Sequence, residues 1–279
     1  MADLPTVARA LEHARALGVA RLDAQLLLAH VLSQPRAWLI AHDDALLTQA
    51  AQGTIAAQLG RRANGEPLAY ITGTREFHGL LLHVTPDVLI PRPDSETLVD
   101  WALERLIAIN APRVLDLGTG SGAIALALKY ARPDAHVHAS DACAKALTVA
   151  RANGERLALA VEWRLGDWWL AIDPGLKFDL VAANPPYVAP GDPHLFDLRH
   201  EPIAALAGRG DGLGDIALII DGAVDHLHAN GGLLIEHGFD QAALVCEHLL
   251  RAGFSHVRTR GDLAGRPRVS AGMWRGSID

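Results

Sequence analysis

Two features of this sequence combine residue types and spacing that suit ligand binding. The run from Gly118 to Gly122, Gly-Thr-Gly-Ser-Gly, follows an apolar segment and leads directly into a helix-forming one. Glycines let the backbone approach a ligand closely, and the free N–H groups at a helix start can meet it. Asp141 lies 21 positions after Gly120, where a carboxylate can accept hydrogen bonds from both hydroxyls of a ribose. Together these features indicate a nucleoside-containing ligand.

The glycine run and the acid do not identify that ligand. Gly118, Gly120 and Ala123 also satisfy the dinucleotide fingerprint G-x-G-x-x-G/A, with an acidic residue about 20 positions further on. An ordinary glycine turn ahead of a buried helix is the simpler alternative. The nucleotide interpretation is favoured because glycine loop, helix and strand-end acid occur in the expected order.

A third motif, Asn184-Pro185-Pro186-Tyr187, follows the apolar segment 178–183. The two prolines fix the turn and leave backbone carbonyls free to accept hydrogen bonds. The side-chain oxygen of Asn184 can accept from a substrate N–H, and Tyr187 supplies a flat wall for a planar amide or base. The alternative is a double proline that merely stiffens a loop. The motif predicts a site that grips a planar NH2 group, for which a dehydrogenase has no evident use.

The elements that must position these motifs can be read from the pattern of apolar residues. The first 60 residues repeat apolar positions at helical spacing and predict a small helical domain. The stretch from Pro67 to Pro93, including Tyr70–Gly73, is β-prone and rich in turn residues, which predicts a hairpin. A helix from Glu96 to Ile109 is expected next, with Asp94 as its cap.

Beyond that helix, short apolar runs alternate with helical stretches, which is typical of repeated βαβ units. The predicted strands are Arg113–Leu117, His136–Ser140, Val161–Leu165, Phe178–Ala183, Leu233–Glu236, His256–Thr259 and Val269–Trp274. Such strands form a mostly parallel, doubly wound sheet with ligands at the carboxyl ends of its strands.

Composition excludes several classes of protein. Half of the 279 residues are apolar and 20% are charged, which argues against a disordered chain. The apolar runs are too short to cross a bilayer and the N-terminus lacks a signal peptide, so we expect a cytoplasmic protein without membrane contact. The net charge is -7, and the whole acidic excess lies after residue 85. An acidic main domain disfavours a nucleic-acid substrate. The two cysteines, Cys143 and Cys246, have no paired spacing, so no metal site is predicted.

The glycine loop and the Asn-Pro-Pro-Tyr motif resemble S-adenosylmethionine-dependent methyltransferases that act on planar NH2 groups. Further stretches resemble the HemK/PrmC family, the release factor glutamine methyltransferases. They are DAQLLL at 23–28, GEPLAYITG at 65–73, VLIPRPDSE at 88–96, DW at 167–168, EP at 201–202 with AAL at 204–206, DGL at 211–213 and EHG at 236–238. Two departures from the family's pattern are Ser95, where Thr is expected, and Gly166 in a loop where the family varies.

The resemblance implies an α/β fold of the class I methyltransferase type, with a Rossmann-like, mostly parallel seven-stranded sheet. It implies a helical substrate-recognition domain over residues 1–66, a β-hairpin linker over 67–93 and a methyltransferase catalytic domain over 94–279. The implied reaction transfers a methyl group from S-adenosylmethionine to the side-chain nitrogen N5 of a glutamine, leaving S-adenosylhomocysteine. That glutamine belongs to the Gly-Gly-Gln motif of bacterial class I peptide chain release factors, so the activity supports translation termination.

The resemblance also assigns residues. The cofactor-binding residues would be Gly118, Thr119, Gly120, Ser121, Gly122, Asp141, Trp168 and Asn184. The catalytic and substrate-binding residues would be Asn184, Pro185, Pro186 and Tyr187. The alternative for Trp168 is core packing, and Asp167 could cap a turn. Arg92 could be an ion-pair partner or a substrate contact, while His194 and His200 are expected to be surface or structural residues.

Three alternatives stay open at this point. A related glutamine methyltransferase could modify a ribosomal protein, although the N-terminal pattern favours the release factor enzyme. An adenine-N6 methyltransferase would need a basic groove and a base-flipping pocket, which the charge does not support. A non-enzymatic cofactor-binding module would not turn over methyl groups. We expect a monomer, since the protein must grasp a large partner in a cleft.

Overall fold

The structure of the protein is a computed structural model that describes residues 4–276. The chain divides between Thr74 and Arg75 into two compact units. Within residues 4–276, no helix combines the length and apolar character needed to cross a membrane.

The first unit is helical, as predicted. Its helices are α1 (Val7–Ala16), α2 (Arg21–Leu32), α3 (Arg36–Ala41), α4 (Gln49–Ala63) and α5 (Leu68–Thr72). Threonine hydroxyls begin two of them, because Thr6 accepts from the Arg9 N–H and Thr48 from the Ala51 N–H. The unit has its own apolar core, which includes Val7, Leu27, Leu28, Ile55 and Leu59.

The expectation of β structure at Tyr70–Gly73 is wrong, because residues 68–72 form α5. Pro67 starts the helix, the Thr72 hydroxyl donates to the Leu68 carbonyl at 3.1 Å, and Gly73 ends it with a φ of 73°. Ile71 is buried in the core of the helical unit. Packing of this side chain therefore overrides the β preference of the local sequence.

The predicted hairpin follows, formed by β1 (Thr74–Phe77) and β2 (Leu80–His83). His78 and Gly79 both have positive φ, 48° and 78°, as a tight two-residue hairpin turn requires. His83 exchanges two hydrogen bonds with Asn153, whose side chain accepts from its N–H at 2.7 Å and donates to its carbonyl at 2.9 Å. Within the second unit, β2 of the hairpin is thereby fastened to the segment that contains Asn153.

The second unit is built on a seven-stranded sheet with the order β5-β4-β3-β6-β7-β9-β8. Its strands are β3 (Arg113–Leu117), β4 (His136–Asp141), β5 (Glu162–Leu165), β6 (Phe178–Ala183), β7 (Leu227–Glu236), β8 (Phe254–Gly261) and β9 (Pro267–Trp274). Only β9 runs antiparallel to its neighbours β7 and β8; the other pairs are parallel. The predicted mostly parallel sheet is confirmed.

All seven predicted strands are present, and the largest difference lies in β7. This strand begins at Leu227, six residues before the predicted start. Leu227 pairs with Phe178 of β6, and the register of the pairing then shifts before Leu180. Asn230 has a φ of 68° there, and the polar residues of this bulge carry no strand pattern.

In the described part of the second unit, the sheet is flanked by the helices α6 (Glu96–Leu106), α7 (Ala123–Ala131), α8 (Ala144–Leu157), α9 (Gly214–His226) and α10 (Ala242–Arg251). The expected Asp94 cap is wrong, because a 3-10 turn spans Pro93–Ser95 and Ser95, without a side-chain capping bond, precedes α6. Pro93 favours the first position of a helical turn, so helical structure starts earlier than predicted. The helix also ends at Leu106 rather than Ile109.

Candidate active site

The sheet order reverses between β3 and β6, and ligands of such sheets bind where the order reverses. Leu117, the last residue of β3, pairs with Ala183 of β6 on one side and with Ser140 of β4 on the other. The glycine loop, Asp141 and the Asn-Pro-Pro-Tyr motif therefore begin side by side.

A cavity of about 480 Å³ lies at this edge of the sheet. Its size falls in the range of small-molecule sites. Six of the predicted site residues line it, namely Gly118, Gly120, Asp141, Trp168, Asn184 and Pro186. Thr119, Ser121, Gly122, Pro185 and Tyr187 are not among its lining residues. The individual roles of all eleven stay predictions.

The glycine loop is held in a fixed shape by backbone contacts. Gly118, Gly120 and Gly122 have positive φ values of 74°, 55° and 84°. The N–H groups of Gly118 and Thr119 both donate to the Ser140 carbonyl at 2.9 Å. A Cβ on Gly118 would lie 3.0 Å from the Trp168 ring, so glycine lets that ring lie directly on the loop.

Asp116 supports the glycine loop through hydrogen bonds. The sequence analysis gave this residue no role. Its side chain is fully buried, and its Oδ2 accepts from the Thr119 hydroxyl at 2.6 Å and from the Ala125 N–H at 3.1 Å. Oδ1 has no hydrogen-bond partner among the described residues. Burial raises the pKa of Asp116 to about 7, against the lowering effect of its two hydrogen bonds. Its position two residues before Gly118, at the end of β3, was the signal that could have identified it.

We expect Asp116→Asn to change how stability depends on pH. Between its ordinary pKa and about 7, the folded carboxyl binds more protons than the unfolded one, so parent stability falls as pH rises through this window. Asn cannot titrate, and its Oδ1 can accept both hydrogen bonds. The free energy of unfolding of the variant relative to the parent should therefore increase by about 2 kcal/mol from pH 5.5 to pH 8. Denaturant unfolding at several pH values measures this difference, and a constant difference would contradict the prediction.

Asp141 lines the cavity, and its carboxylate is held by two backbone N–H groups. Oδ2 accepts from the Gly120 N–H and Oδ1 from the Cys143 N–H, each at 2.8 Å. Burial raises the pKa of Asp141, while these two bonds lower it. Each oxygen keeps a further lone pair, so the pair of oxygens can still accept from two hydroxyls.

Trp168 is anchored by Asp215, which the sequence analysis missed. The indole N–H donates to Asp215 Oδ1 at 3.0 Å, and Asp215 Oδ2 accepts from the Arg209 N–H at 2.9 Å. The Arg209 guanidinium also contacts Asp167 at 2.7 Å and Asp215 at 3.3 Å. Asp215 and Arg209 thus tie the Trp168 wall of the cavity to residues 203–214. Trp168 and Asp215 are 47 positions apart, so no local pattern in the sequence indicated this hydrogen bond.

Asn184 has its amide group held from one side. Nδ2 donates to the Ser95 hydroxyl at 3.1 Å, which leaves Oδ1 as the acceptor available to a ligand. Ser95 itself is buried. The arrangement presents an amide oxygen at the end of β6, as the recognition of an NH2 group requires.

Tyr187 is anchored to a buried carboxyl group. Its hydroxyl donates to Glu236 Oε1 at 3.3 Å, and its carbonyl accepts from Gln241 Nε2 at 3.0 Å. Burial raises the pKa of Tyr187, and the nearby Glu236 raises it further. Burial also raises the pKa of Glu236 to about 7. Tyr187 is therefore held both at its side-chain hydroxyl and at its backbone carbonyl.

Residues 203–214 pack directly on the Asn-Pro-Pro-Tyr loop. Val188 donates to the Leu206 carbonyl and accepts from the Gly208 N–H, both at 3.0 Å. A Cβ on Gly208 would lie 2.4 Å from the Pro186 carbonyl oxygen, and one on Gly212 would lie 2.4 Å from the Tyr187 carbonyl oxygen. Only glycine allows the two backbones to approach this closely.

Gly208→Ala should therefore displace the Pro186 carbonyl or residues 203–214. We expect it to destabilise the protein by about 1–3 kcal/mol, the usual cost of overpacking, and to lower activity. Gly53→Ala is the matched control, because a Cβ there meets no atom within 4 Å and the position lies inside α4. Thermal unfolding of both variants tests this, and equal melting temperatures would contradict it.

Arg92 and His194 both make contacts within the chain. Arg92 forms an ion pair with the buried Glu201, whose other oxygen accepts from the Ile90 N–H at 3.1 Å. His194 is exposed and contacts Asp192 at 2.7 Å. Arg92 and Glu201 thus hold residues 88–92 beside the site.

The sheet order and the position of this site define a methyltransferase of the Rossmann-like class. Residues 95–207 match the model of the methyltransferase small domain, and residues 6–73 match that of the PrmC N-terminal domain. The chain belongs to the release factor glutamine methyltransferase family, which confirms the resemblance found in the sequence.

Relatives of this name match nearly the whole chain. The release factor glutamine methyltransferase of Burkholderia pseudomallei is 48% identical over 98% of this chain and 98% of its own length. That of Bordetella pertussis is 47% identical over 91% of this chain and 95% of its own. A crystal structure of a methyltransferase from Pyrococcus furiosus has a TM-score of 0.55 at 19% identity, covering 82% of this chain and all of that one, and shows the shared fold.

Proposed function

We propose that this protein transfers a methyl group from S-adenosylmethionine to the side-chain nitrogen N5 of the glutamine in the Gly-Gly-Gln motif of bacterial class I release factors. The observation that carries the proposal is the fixed amide of Asn184 at the end of β6, whose Nδ2 donates to Ser95 and whose Oδ1 has no hydrogen-bond partner among residues 4–276. The names of the relatives supply the release factor as substrate. The modification supports translation termination.

The residues around the cavity fit the proposed methyl donor. Asp141 would accept from the ribose hydroxyls, Trp168 would lie against the adenine, and the glycine loop would pass close to the rest of the molecule. When bound, S-adenosylmethionine supplies an activated methyl group. The fit is supported by the cavity volume of about 480 Å³ and by the presence of Asp141 among its lining residues.

The substrate amide would be placed by the Asn-Pro-Pro-Tyr motif. A carboxamide nitrogen is a poor nucleophile because its lone pair is delocalised into the carbonyl. We infer that Asn184 Oδ1 and the Pro185 carbonyl accept its two N–H bonds, while Tyr187 supports the plane of the amide. These contacts turn the nitrogen toward the methyl group, and such placement contributes up to about 7–11 kcal/mol in favourable intramolecular systems.

The same acceptors stabilise the positive charge that develops on nitrogen. As the new N–C bond forms, the S–C bond breaks, and the nitrogen then releases one proton to solvent. The motif itself contains no conventional general base. The chain's contribution is therefore orientation and electrostatic stabilisation.

We assign substrate recognition to residues 1–66, a linker role to residues 67–93 and catalysis to residues 94–279. The match of residues 6–73 to the PrmC N-terminal domain supports the first assignment. We further propose that the protein acts as a monomer in the cytoplasm, where release factors work, and that it takes no nucleic acid as a direct substrate.

Radiolabelled methyl transfer tests the proposal. The purified protein would receive labelled S-adenosylmethionine together with a bacterial release factor, its Gln→Ala variant in the Gly-Gly-Gln motif, a ribosomal protein fraction or adenine-containing DNA. We expect label on the release factor alone, and its loss in the Gln→Ala variant. Label only on the ribosomal fraction or on DNA would overturn the substrate while leaving the methyltransferase assignment in place.

A further inference from the structure

The peptide group that joins Tyr187 to Val188, directly after the motif that would hold the substrate, is held at both of its polar atoms. The Val188 N–H donates to the Leu206 carbonyl at 3.0 Å. The Tyr187 carbonyl accepts from Nε2 of the Gln241 side chain, also at 3.0 Å. A peptide group is planar, so fixing its oxygen and its N–H fixes the direction in which the backbone leaves the motif.

The amide of Gln241 is itself held with its donor end toward Tyr187. Its Oε1 accepts from the Gly238 N–H at 2.8 Å, so its NH2 group must face the carbonyl. The Gly238 carbonyl lies 2.8 Å from Nδ1 of His237, whose Nε2 lies 2.8 Å from the Ser270 hydroxyl. A carbonyl only accepts, so Nδ1 carries the hydrogen and Nε2 accepts from Ser270. Both side chains are fully buried, so the turn that carries Gln241 is anchored in the interior.

Three segments of the second unit meet at the Tyr187 carbonyl: the Asn-Pro-Pro-Tyr loop, the turn that carries Gln241 and residues 203–214. In the third segment, a Cβ on Gly212 would lie 2.4 Å from the Tyr187 carbonyl oxygen and 3.2 Å from Gln241 Nε2. The space around this carbonyl is therefore filled, and no other group of these segments could replace a lost donor without moving. A carbonyl left without a donor in such a place costs free energy, so the loop would shift.

We propose that Gln241 is a positioning residue that keeps the Asn-Pro-Pro-Tyr loop in the shape that holds the substrate amide. The inference rests on the proposed role of this motif in placing the glutamine of the release factor. The Pro185 carbonyl and the Tyr187 ring, which would contact that amide, lie within two residues of the fixed peptide group. Gln241 and Tyr187 are not among the lining residues of the cavity, so Gln241 acts on the substrate amide rather than on the cofactor.

Gln241→Glu tests the proposal with the smallest change of shape. The new carboxylate can still accept from the Gly238 N–H, but it cannot donate to the Tyr187 carbonyl. We expect the single-turnover rate of methyl transfer to the release factor to fall about tenfold at neutral pH, the effect of one lost hydrogen bond. The Kd for S-adenosylmethionine should stay close to that of the parent. Rapid-quench assays and calorimetric titration of the cofactor measure the two quantities.

Ser255→Ala is the matched control. The Ser255 hydroxyl donates to the Met273 carbonyl at 3.1 Å, so this substitution also removes one neutral donor from a backbone carbonyl. Ser255 lies near the start of β8, and Met273 pairs with Gly232, four residues before the end of β7. Both therefore lie toward the edge of the sheet opposite the motif, and the rate of Ser255→Ala should equal that of the parent.

Gln241→Ala provides a second route to the same conclusion if Gln241→Glu fails to fold. It removes the donor and the acceptor together, so the rate should fall at least as much. Full activity of the Gln241 variants would overturn the inference. An equal loss of rate in Ser255→Ala, or a loss of cofactor affinity as large as the loss of rate, would also overturn it, because the effect would not be confined to the motif. A parent that does not methylate the release factor would instead overturn the proposed function.

Discussion

Asn184→Ala should lower kcat by roughly 100- to 1,000-fold, the loss seen when a positioned group that stabilises transition-state charge is removed. The variant loses the acceptor that turns the substrate nitrogen toward the methyl group, and alanine offers no replacement. Asn184 also lines the cavity, so affinity for S-adenosylmethionine should fall as well. This fall in affinity should be much smaller than the fall in kcat. Single-turnover methyl transfer, together with calorimetric titration of the cofactor, separates the two effects.

Asn184→Asp is the matched control for this prediction. It keeps an acceptor oxygen at the end of β6 and can accept from the Ser95 hydroxyl instead of donating to it. We expect it to lose less activity than Asn184→Ala. Equal activity of Asn184→Ala and the parent would remove the residue from the reaction.

Asp141→Ala should weaken S-adenosylmethionine binding by more than about 100-fold. A hydrogen bond to a charged group contributes about 1.5–3 kcal/mol, and the substitution would remove two such bonds to the ribose hydroxyls. The Gly120 and Cys143 N–H groups also lose their acceptor, so the glycine loop becomes less ordered. Isothermal titration calorimetry measures the change in Kd.

Asp141→Asn separates the two contributions of this residue. Its single oxygen can keep one backbone contact, and its NH2 group cannot accept from a hydroxyl. An intermediate Kd is expected. If Asp141→Ala bound the cofactor as tightly as the parent, the residue would not belong to the ribose site.

The sequence predicted the order of strands and helices well because each element carries its own apolar period. The stretch at Tyr70–Gly73 was misassigned, since the burial of Ile71 in the helical core outweighs its local β preference. The start of β7 was placed late because the bulge around Asn230 is polar. Both differences arise from tertiary contacts that a local window does not contain.

The motifs at the strand ends were visible in the sequence, and Ser95 and Glu236 lay in stretches that resembled the family, but the contacts that join these residues to the motifs were not visible. Ser95 lies 89 positions before Asn184, and Glu236 lies 49 positions after Tyr187. Asp116 had a local signal, since it lies two residues before the glycine run. Asp215 had none, because its partner Trp168 is fixed only once α9 packs beside the sheet.

The close approach of Gly208 and Gly212 to the Asn-Pro-Pro-Tyr loop links two binding events. Residues 203–214 contribute Ala204, Ala205, Ala207 and Arg209 to the cavity wall, and their glycines lie against the carbonyls of Pro186 and Tyr187. If this segment moved when one ligand bound, its direct backbone contact with the Asn-Pro-Pro-Tyr loop would displace the groups that hold the other ligand. We expect cofactor and release factor to bind cooperatively, each raising the affinity for the other by the same factor.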